Sequence, residues 1–247
     1  MPDLPTILYV FLSLFLGGLL KGVVGLGLPL VSMPLLTFAV PLKTAVALVI
    51  VPIFVTNLAQ SFQGGLASPT FRRFWLSMIV LVATIALTAE ALVTIDEKIL
   101  YTILGTTLIL LTLTLRFRPS MQIRPAQEPW AAPLAAVAGG VLGGFTGIYG
   151  PPVMMYLACL RLKKGEFVAA VSQFFVAGNN GLTIGLVSFG GAGLRELALS
   201  AAATIPTYVG LWLGQRVHAR LDESRFSAVL YIVYLATGAS FLIRAFG

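Results

Sequence analysis

The stretch Gly17-Gly18-Leu19-Leu20-Lys21-Gly22-Val23-Val24-Gly25-Leu26-Gly27-Leu28-Pro29 returns 122 positions later as Gly139-Gly140-Val141-Leu142-Gly143-Gly144-Phe145-Thr146-Gly147-Ile148-Tyr149-Gly150-Pro151. Without gaps, 13 of the 41 positions from Gly17 to Asn57 are identical to those from Gly139 to Asn179, among them Gly22/Gly144, Gly25/Gly147, Pro29/Pro151 and Asn57/Asn179. Both copies lie inside long apolar stretches. Apolar segments interrupted by Gly and Pro at corresponding places in two halves are the best sequence pointer to a transporter's binding site. The duplication therefore constrains architecture and function together.

The solvent of this chain is set by composition. Hydrophobic residues make up 58% and charged residues 10%, whereas a soluble domain carries about 25% charged residues. This is the composition of a multi-pass membrane protein. The net charge of +7 raises the question of nucleic acid, but the basic residues fall between apolar segments and form no stripe with interleaved aromatics. No nucleic-acid partner is expected. The start, Met1-Pro2-Asp3-Leu4-Pro5, lacks a positive n-region and a cleavage site, so the first apolar segment is expected to be retained. The single cysteine, Cys159, supplies neither a disulfide nor a metal cluster and reads as packing.

A hydrocarbon core about 30 Å thick takes about 20 apolar residues per helix. Ten segments can be placed, over residues 6–20, 23–40, 44–62, 73–94, 99–116, 130–144, 147–160, 167–189, 195–215 and 226–244. The expected fold is an all-α polytopic membrane protein of two repeats, residues 1–115 and 130–247, each of about five segments and joined by a cytoplasmic linker, 116–129. The first two segments of each repeat are short and crowded with Gly and Pro, so they are candidate half-membrane hairpins. Five is odd, so the repeats are expected to be inverted. Charge agrees, because cytoplasmic loops carry excess Lys and Arg. In the ten-segment reading one face receives Arg72, Arg73, Arg116, Arg118, Arg124, Arg161, Lys163, Lys164, Arg216, Arg220 and Arg225, and the other receives Lys43, Lys98, Arg195 and Arg244. An eight-span reading divides the same loops seven against eight and loses the bias. Both termini are thus expected outside the cytoplasm.

Non-helical backbone at membrane depth is tolerated only where protein buries it or it lines a cavity. At Gly25, Gly27 and Pro29, and again at Gly147, Tyr149 and Pro151, glycine permits unusual dihedrals and proline removes a donor. A helix restarting there presents N–H groups and the positive end of its dipole, which together suit an anion. Close packing is the alternative, since Gly18/Gly22 and Gly140/Gly144 are small-xxx-small pairs. Lys21, whose repeat mate is Gly143, adds one positive charge, which would either pair with a substrate or snorkel to the headgroups. Amides gather in the third segments: Asn57, Gln60 and Gln63 in one repeat, Gln173, Asn179 and Asn180 in the other, with Thr183 nearby. Their neutral donors suit an oxyanion, and interhelical hydrogen bonding is the alternative. Glu90 is the carboxylate embedded in an apolar segment and the candidate for proton coupling. The sole histidine, His218, and the missing acid-base set give no catalytic site, so no enzyme activity, metal or cofactor is expected.

The two motifs GGLLKGVVGLGLPLVSMPLL and GGVLGGFTGIYGPPVMMYLACL resemble the TauE/SafE family of sulfite exporters and toluenesulfonate uptake permeases, and the resemblance extends over essentially the whole chain. Gly18, Gly22, Gly25, Gly27 and Pro29 match the family's glycine pattern, and in the second copy Tyr149 replaces the glycine equivalent to Gly27. The resemblance implies secondary transport of sulfite or organosulfonates, with a midplane site between the repeats and alternating access. The residues alone argue for an anion. The rival readings are an uncoupled anion channel and a membrane-embedded lipid enzyme. Expected partners are a small anion and membrane lipid, with homo-oligomerisation open. The charge bias yields a direct test. In a Cys159→Ser background, Arg118→Cys and Lys163→Cys should both react with an impermeant thiol reagent from the cytoplasmic side; labelling from opposite sides would exclude the ten-segment topology.

Overall fold

The computed structural model describes residues 4–24, 27–62, 69–117, 122–160, 162–218 and 223–246. These form helices α1 (Leu4–Val24), α2 (Leu28–Leu36), α3 (Leu42–Phe62), α4 (Pro69–Thr88), α5 (Glu90–Thr94), α6 (Glu97–Phe117), α7 (Glu128–Thr146), α8 (Gly150–Cys159), α9 (Lys164–Ser188), α10 (Leu194–His218) and α11 (Glu223–Phe246), with a 3-10 turn at Pro125–Gln127. No strand occurs among the described residues. Five stretches are long and apolar enough to cross a bilayer: Leu4–Val23, Thr70–Thr94, Glu97–Thr114, Gly165–Ser188 and Leu194–Arg216, with shorter apolar helices at Leu42–Leu58 and Tyr231–Phe246. The expected all-α membrane architecture is therefore present.

Two details differ from the expectation. Only the second member of each Gly/Pro pair is short: α2 has 9 residues and α8 has 10, about 14–15 Å at the helical rise. The first members, α1 and α7, have 21 and 19 residues. Glycines inside them serve close packing and do not end the helix. The fourth segment is also divided, since α4 stops at Thr88 and Ala89 precedes the short α5.

The chain forms two compact units that do not follow the repeat boundary. Unit 1 comprises residues 1–52, 97–112 and 192–247, and unit 2 comprises 53–96 and 113–191. Each draws helices from both halves of the sequence.

In unit 1, α1 lies against α10 with backbones touching. A methyl group at Gly18 would run into the Thr207 carbonyl, one at Gly22 into Leu211, one at Gly210 into Phe15 and one at Gly214 into Leu19. Both chains advance together along this contact, so the two helices are parallel. The opposite stripe, Leu4, Leu8, Leu12 and Leu16, is exposed, as a lipid-facing surface requires. Beyond α1, α2 turns back along it: Gly17 faces Leu28 and Ser32.

Prolines inside α2 and α3 each remove the N–H that the carbonyl four residues earlier would accept. Pro34 leaves Leu30 without its donor, and Pro52 does the same to Leu48. Both carbonyls are satisfied from the second repeat. Thr237 of α11 donates its hydroxyl to Leu30 O at 2.6 Å, and Ser200 of α10 donates to Leu48 O at 2.8 Å while accepting from Val51 N–H. At the other end of α2, Arg244 donates to Thr37 O and stacks over Phe38. The first amide of α3, Leu42 N–H, is capped by Glu97 at 2.9 Å, and α6 meets α11 where Tyr101 stacks on Phe241.

Unit 2 uses the same device with the repeats exchanged. Gly140 and Gly144 of α7 lie against Thr84 and Thr88 of α4, and Gly181 and Gly185 of α9 against Val82 and Ala89. At the head of this group Arg73 makes a two-pronged ion pair with Glu128, each contact 2.5 Å, tying the starts of α4 and α7. The linker is anchored by Ile123 N–H on Cys159 O.

The proline repair predicts an asymmetric mutational response. Thr237→Val keeps shape but strands the Leu30 carbonyl, which should cost about 1–3 kcal/mol of stability, whereas Thr237→Ser should lose much less. Equal loss in both variants, measured by denaturation in detergent, would show that the hydroxyl is not what Leu30 needs.

Candidate functional site

The first break lies in unit 1. Helix α1 runs through Lys21 to Val24; Gly25 lies outside the described residues. Gly27 adopts φ 90° and ψ 24°, a left-handed conformation open to glycine at little cost, and α2 restarts at Leu28-Pro29. The expected row of first-turn donors is reduced, because Pro29 has no N–H and Leu30 N–H donates to Gly27 O at 2.9 Å. Leu28 supplies the remaining early amide.

Lys21 is only 2% exposed and ranks among the largest fully buried side chains. It lies one turn beyond Gly17, whose face of α1 meets α2. A snorkelling lysine would expose its ammonium, and Lys21 does not. The first break therefore combines a buried cationic side chain with the start of a helix.

The second break, in unit 2, is built differently. Gly147 carries the left-handed turn (φ 75°) and donates to Gly143 O at 2.7 Å. Ile148 N–H donates to the Thr146 hydroxyl at 3.2 Å, which donates in turn to Leu142 O. Helix α8 then opens Gly150-Pro151-Pro152, so two of its first three residues have no N–H at all. Tyr149, 2% exposed, fastens this turn to α9. Its hydroxyl donates to Phe175 O at 2.9 Å, its ring lies 5.2 Å from that of Phe175, and it covers Gly178.

Helix α9 thereby brings Tyr149 alongside the predicted amides. Gln173 and Asn179 are buried, Thr183 is half-buried and donates to Asn179 O at 2.8 Å, and Asn180 is exposed. Asn179 Oδ1 accepts no hydrogen bond from the described residues. Ser172 is a polar residue that the sequence reading missed. It is fully buried, its hydroxyl also has no partner among the described residues, and it precedes Asn179 by seven residues, hence on one helix face. That spacing was the available signal.

Also in unit 2, Asn57 and Gln60 on α3 are buried. Asn57 Nδ2 donates to Ile53 O at 2.8 Å and Asn57 O accepts from the Ser61 hydroxyl. The repeat-matched asparagines thus differ: Asn57 is turned back onto its own helix, while the amide oxygen of Asn179 is unmatched. Gln63 lies outside the described residues. Glu90 is exposed at the start of α5, away from these buried amides in its degree of enclosure. A cavity of about 240 Å³ in unit 1, bordered by Val10, Phe11, Thr44, Leu48 and Arg195, contains none of the predicted site residues.

The family model described as Sulfite exporter TauE/SafE matches residues 10–241. No curated protein and no solved structure matches the chain. The family match takes in both breaks and every predicted site residue from Lys21 to Thr183. By that match, over nearly its whole length, the chain belongs to the TauE/SafE sulfite exporter family of membrane transporters.

Proposed function

We propose that this transporter is a secondary-active permease for small oxyanions of the sulfite and organosulfonate type, working by alternating access from an inner-membrane location. The observation that carries the reading is Lys21, a 2% exposed lysine beside a left-handed break in the membrane-embedded chain. A lysine at mid-membrane costs roughly 2.5–3.5 kcal/mol on insertion scales. An anionic ligand offsets that cost through charge-assisted hydrogen bonds, which are about twice as strong as neutral ones. Gly27, left-handed at that break, lets a ligand approach backbone. Considered by itself, unit 2 carries the buried amides of Asn57, Gln60, Gln173 and Asn179, neutral polar groups that add no second buried charge. The sulfur in the substrate is an inference from family membership; the residues ask for an oxyanion.

Ligand-dependent thermal stabilisation in detergent tests this reading. Sulfite and toluenesulfonate should raise the melting temperature more than acetate at equal concentration. Lys21→Ala should weaken the apparent affinity roughly tenfold or more, the worth of one hydrogen bond to a charged group. Unchanged ligand shifts in Lys21→Ala would remove the lysine from the site, and equal shifts from all three anions would remove the sulfur specificity.

A further inference from the structure

We infer that Tyr149 closes the second break against ligand, so that the chain has one anion-binding break, at Lys21, although its scaffold is duplicated. The inference rests on the anion reading proposed above and asks which of the two breaks serves it.

At the repeat offset of 122, Lys21 aligns with Gly143 and Gly27 with Tyr149. Gly27 and Tyr149 occupy the same structural place, each being the residue on which its short helix, α2 or α8, is capped. In the second break the two positions touch. A Cβ at Gly143 would stand 2.6 Å from Tyr149 Cβ and 3.2 Å from Cδ1, closer than carbon atoms pack. Position 143 can therefore carry no side chain while position 149 is anything but glycine.

The first break reverses the assignment. Gly27 sits at φ 90°, where a side chain is strained, and a Cβ there would already meet Leu30 at 3.0 Å. The large residue comes instead from α1, as Lys21. Across these two positions each repeat carries one large residue, Lys21 on α1 in the first and Tyr149 at the cap of α8 in the second. In the second break the two positions are sterically coupled, so Tyr149 excludes a residue like Lys21 at position 143.

This difference changes the chemistry of the two places. Lys21 delivers a buried amine, which an anion beside it would hold in the charged form. Tyr149 delivers an aromatic ring over Gly178 and a hydroxyl whose proton already goes to Phe175 O. Around it, Pro151 and Pro152 remove two further amide donors. Among the described residues the second break brings no Lys or Arg to this turn, Gly150 alone of the first three residues of α8 keeps an N–H, and the Tyr149 ring lies against Gly178. Tyr149 is accordingly a specificity-determining plug, in contrast to the ligand contact that its position in the motif suggests.

The test has a steric arm and a ligand arm. Gly143→Ala should lower the melting temperature of the otherwise unaltered protein, and the same change in a Tyr149→Gly background should cause little further loss. Equal losses in both backgrounds would overturn the steric coupling without reference to any ligand. Titration calorimetry with sulfite in detergent should give one anion per chain, bound at least tenfold more weakly in Lys21→Ala, with affinity regained when Gly143→Lys and Tyr149→Gly are added to Lys21→Ala. Two sulfites per unaltered chain would overturn the plug and leave the anion reading standing; no sulfite bound, with the steric coupling present, would overturn the anion reading itself. Tyr149→Phe serves should the triple variant fail to fold. It keeps the ring, so stoichiometry should remain one with affinity within twofold, whereas a tenfold loss would put the phenol on the ligand and contradict the inference.

Discussion

Inside a bilayer a backbone carbonyl that loses its helical donor has no water to turn to, and the rest of unit 1 is arranged around that constraint. Pro34 and Pro52 break the ladders of α2 and α3 at Leu30 and Leu48. Thr237 and Ser200, hydroxyls from the far end of the sequence, repair them. These two bonds tie the first repeat to the fourth and fifth segments of the second. A short helix such as α2 could not stand alone in lipid, and here it is held along its length by α1, by Thr237 and by Arg244 at its end.

Glycine provides the complementary constraint. Where α1 meets α10, and where α4 meets α7, the helices approach until backbone touches backbone or a threonine side chain. In a membrane such packing is a main source of helix association, because burial of apolar surface gains little when the solvent is itself apolar. The two contacts correspond: in each, the first helix of one repeat packs on the fourth helix of the other. Repeats interleaved in this way cannot fold as separate halves, which is why the compact units cut across the duplication.

Much of this was legible in the sequence. Ten apolar segments, the Gly/Pro breaks and the role of glycine pairs all follow from periodicity and composition, and the helices fall close to the expected bounds. What local sequence could not show was reach. The partners of Leu30 and Leu48 lie 207 and 152 residues away, and a lone Thr or Ser in an apolar helix carries no mark of its distant acceptor. The lengths of α1 and α7 were underestimated because their glycines read as breaks, whereas helix interiors tolerate glycine when a neighbouring backbone occupies the space. Among candidate site residues, Lys21, Asn57, Gln60, Gln173 and Asn179 are buried, while Asn180 and Glu90 are exposed. Position on a helix face decides that difference, and α9 places adjacent asparagines about 100° apart.

Function then rests on what the breaks contain. Proline at the start of α2 and α8 removes amide donors that a helix terminus would otherwise offer, so on the proposed reading side chains supply most of the recognition. In that reading Lys21 is the strongest of them, and Tyr149, which aligns with Gly27, gives the second break chemistry of a different kind. The central claim is that this site belongs to a carrier of sulfite-type anions. Counterflow in proteoliposomes tests it most directly: vesicles loaded with unlabelled sulfite and diluted into trace labelled sulfite should accumulate label transiently above its equilibrium level. Label that enters only to equilibrium, at a rate unaffected by the internal sulfite, would contradict the account.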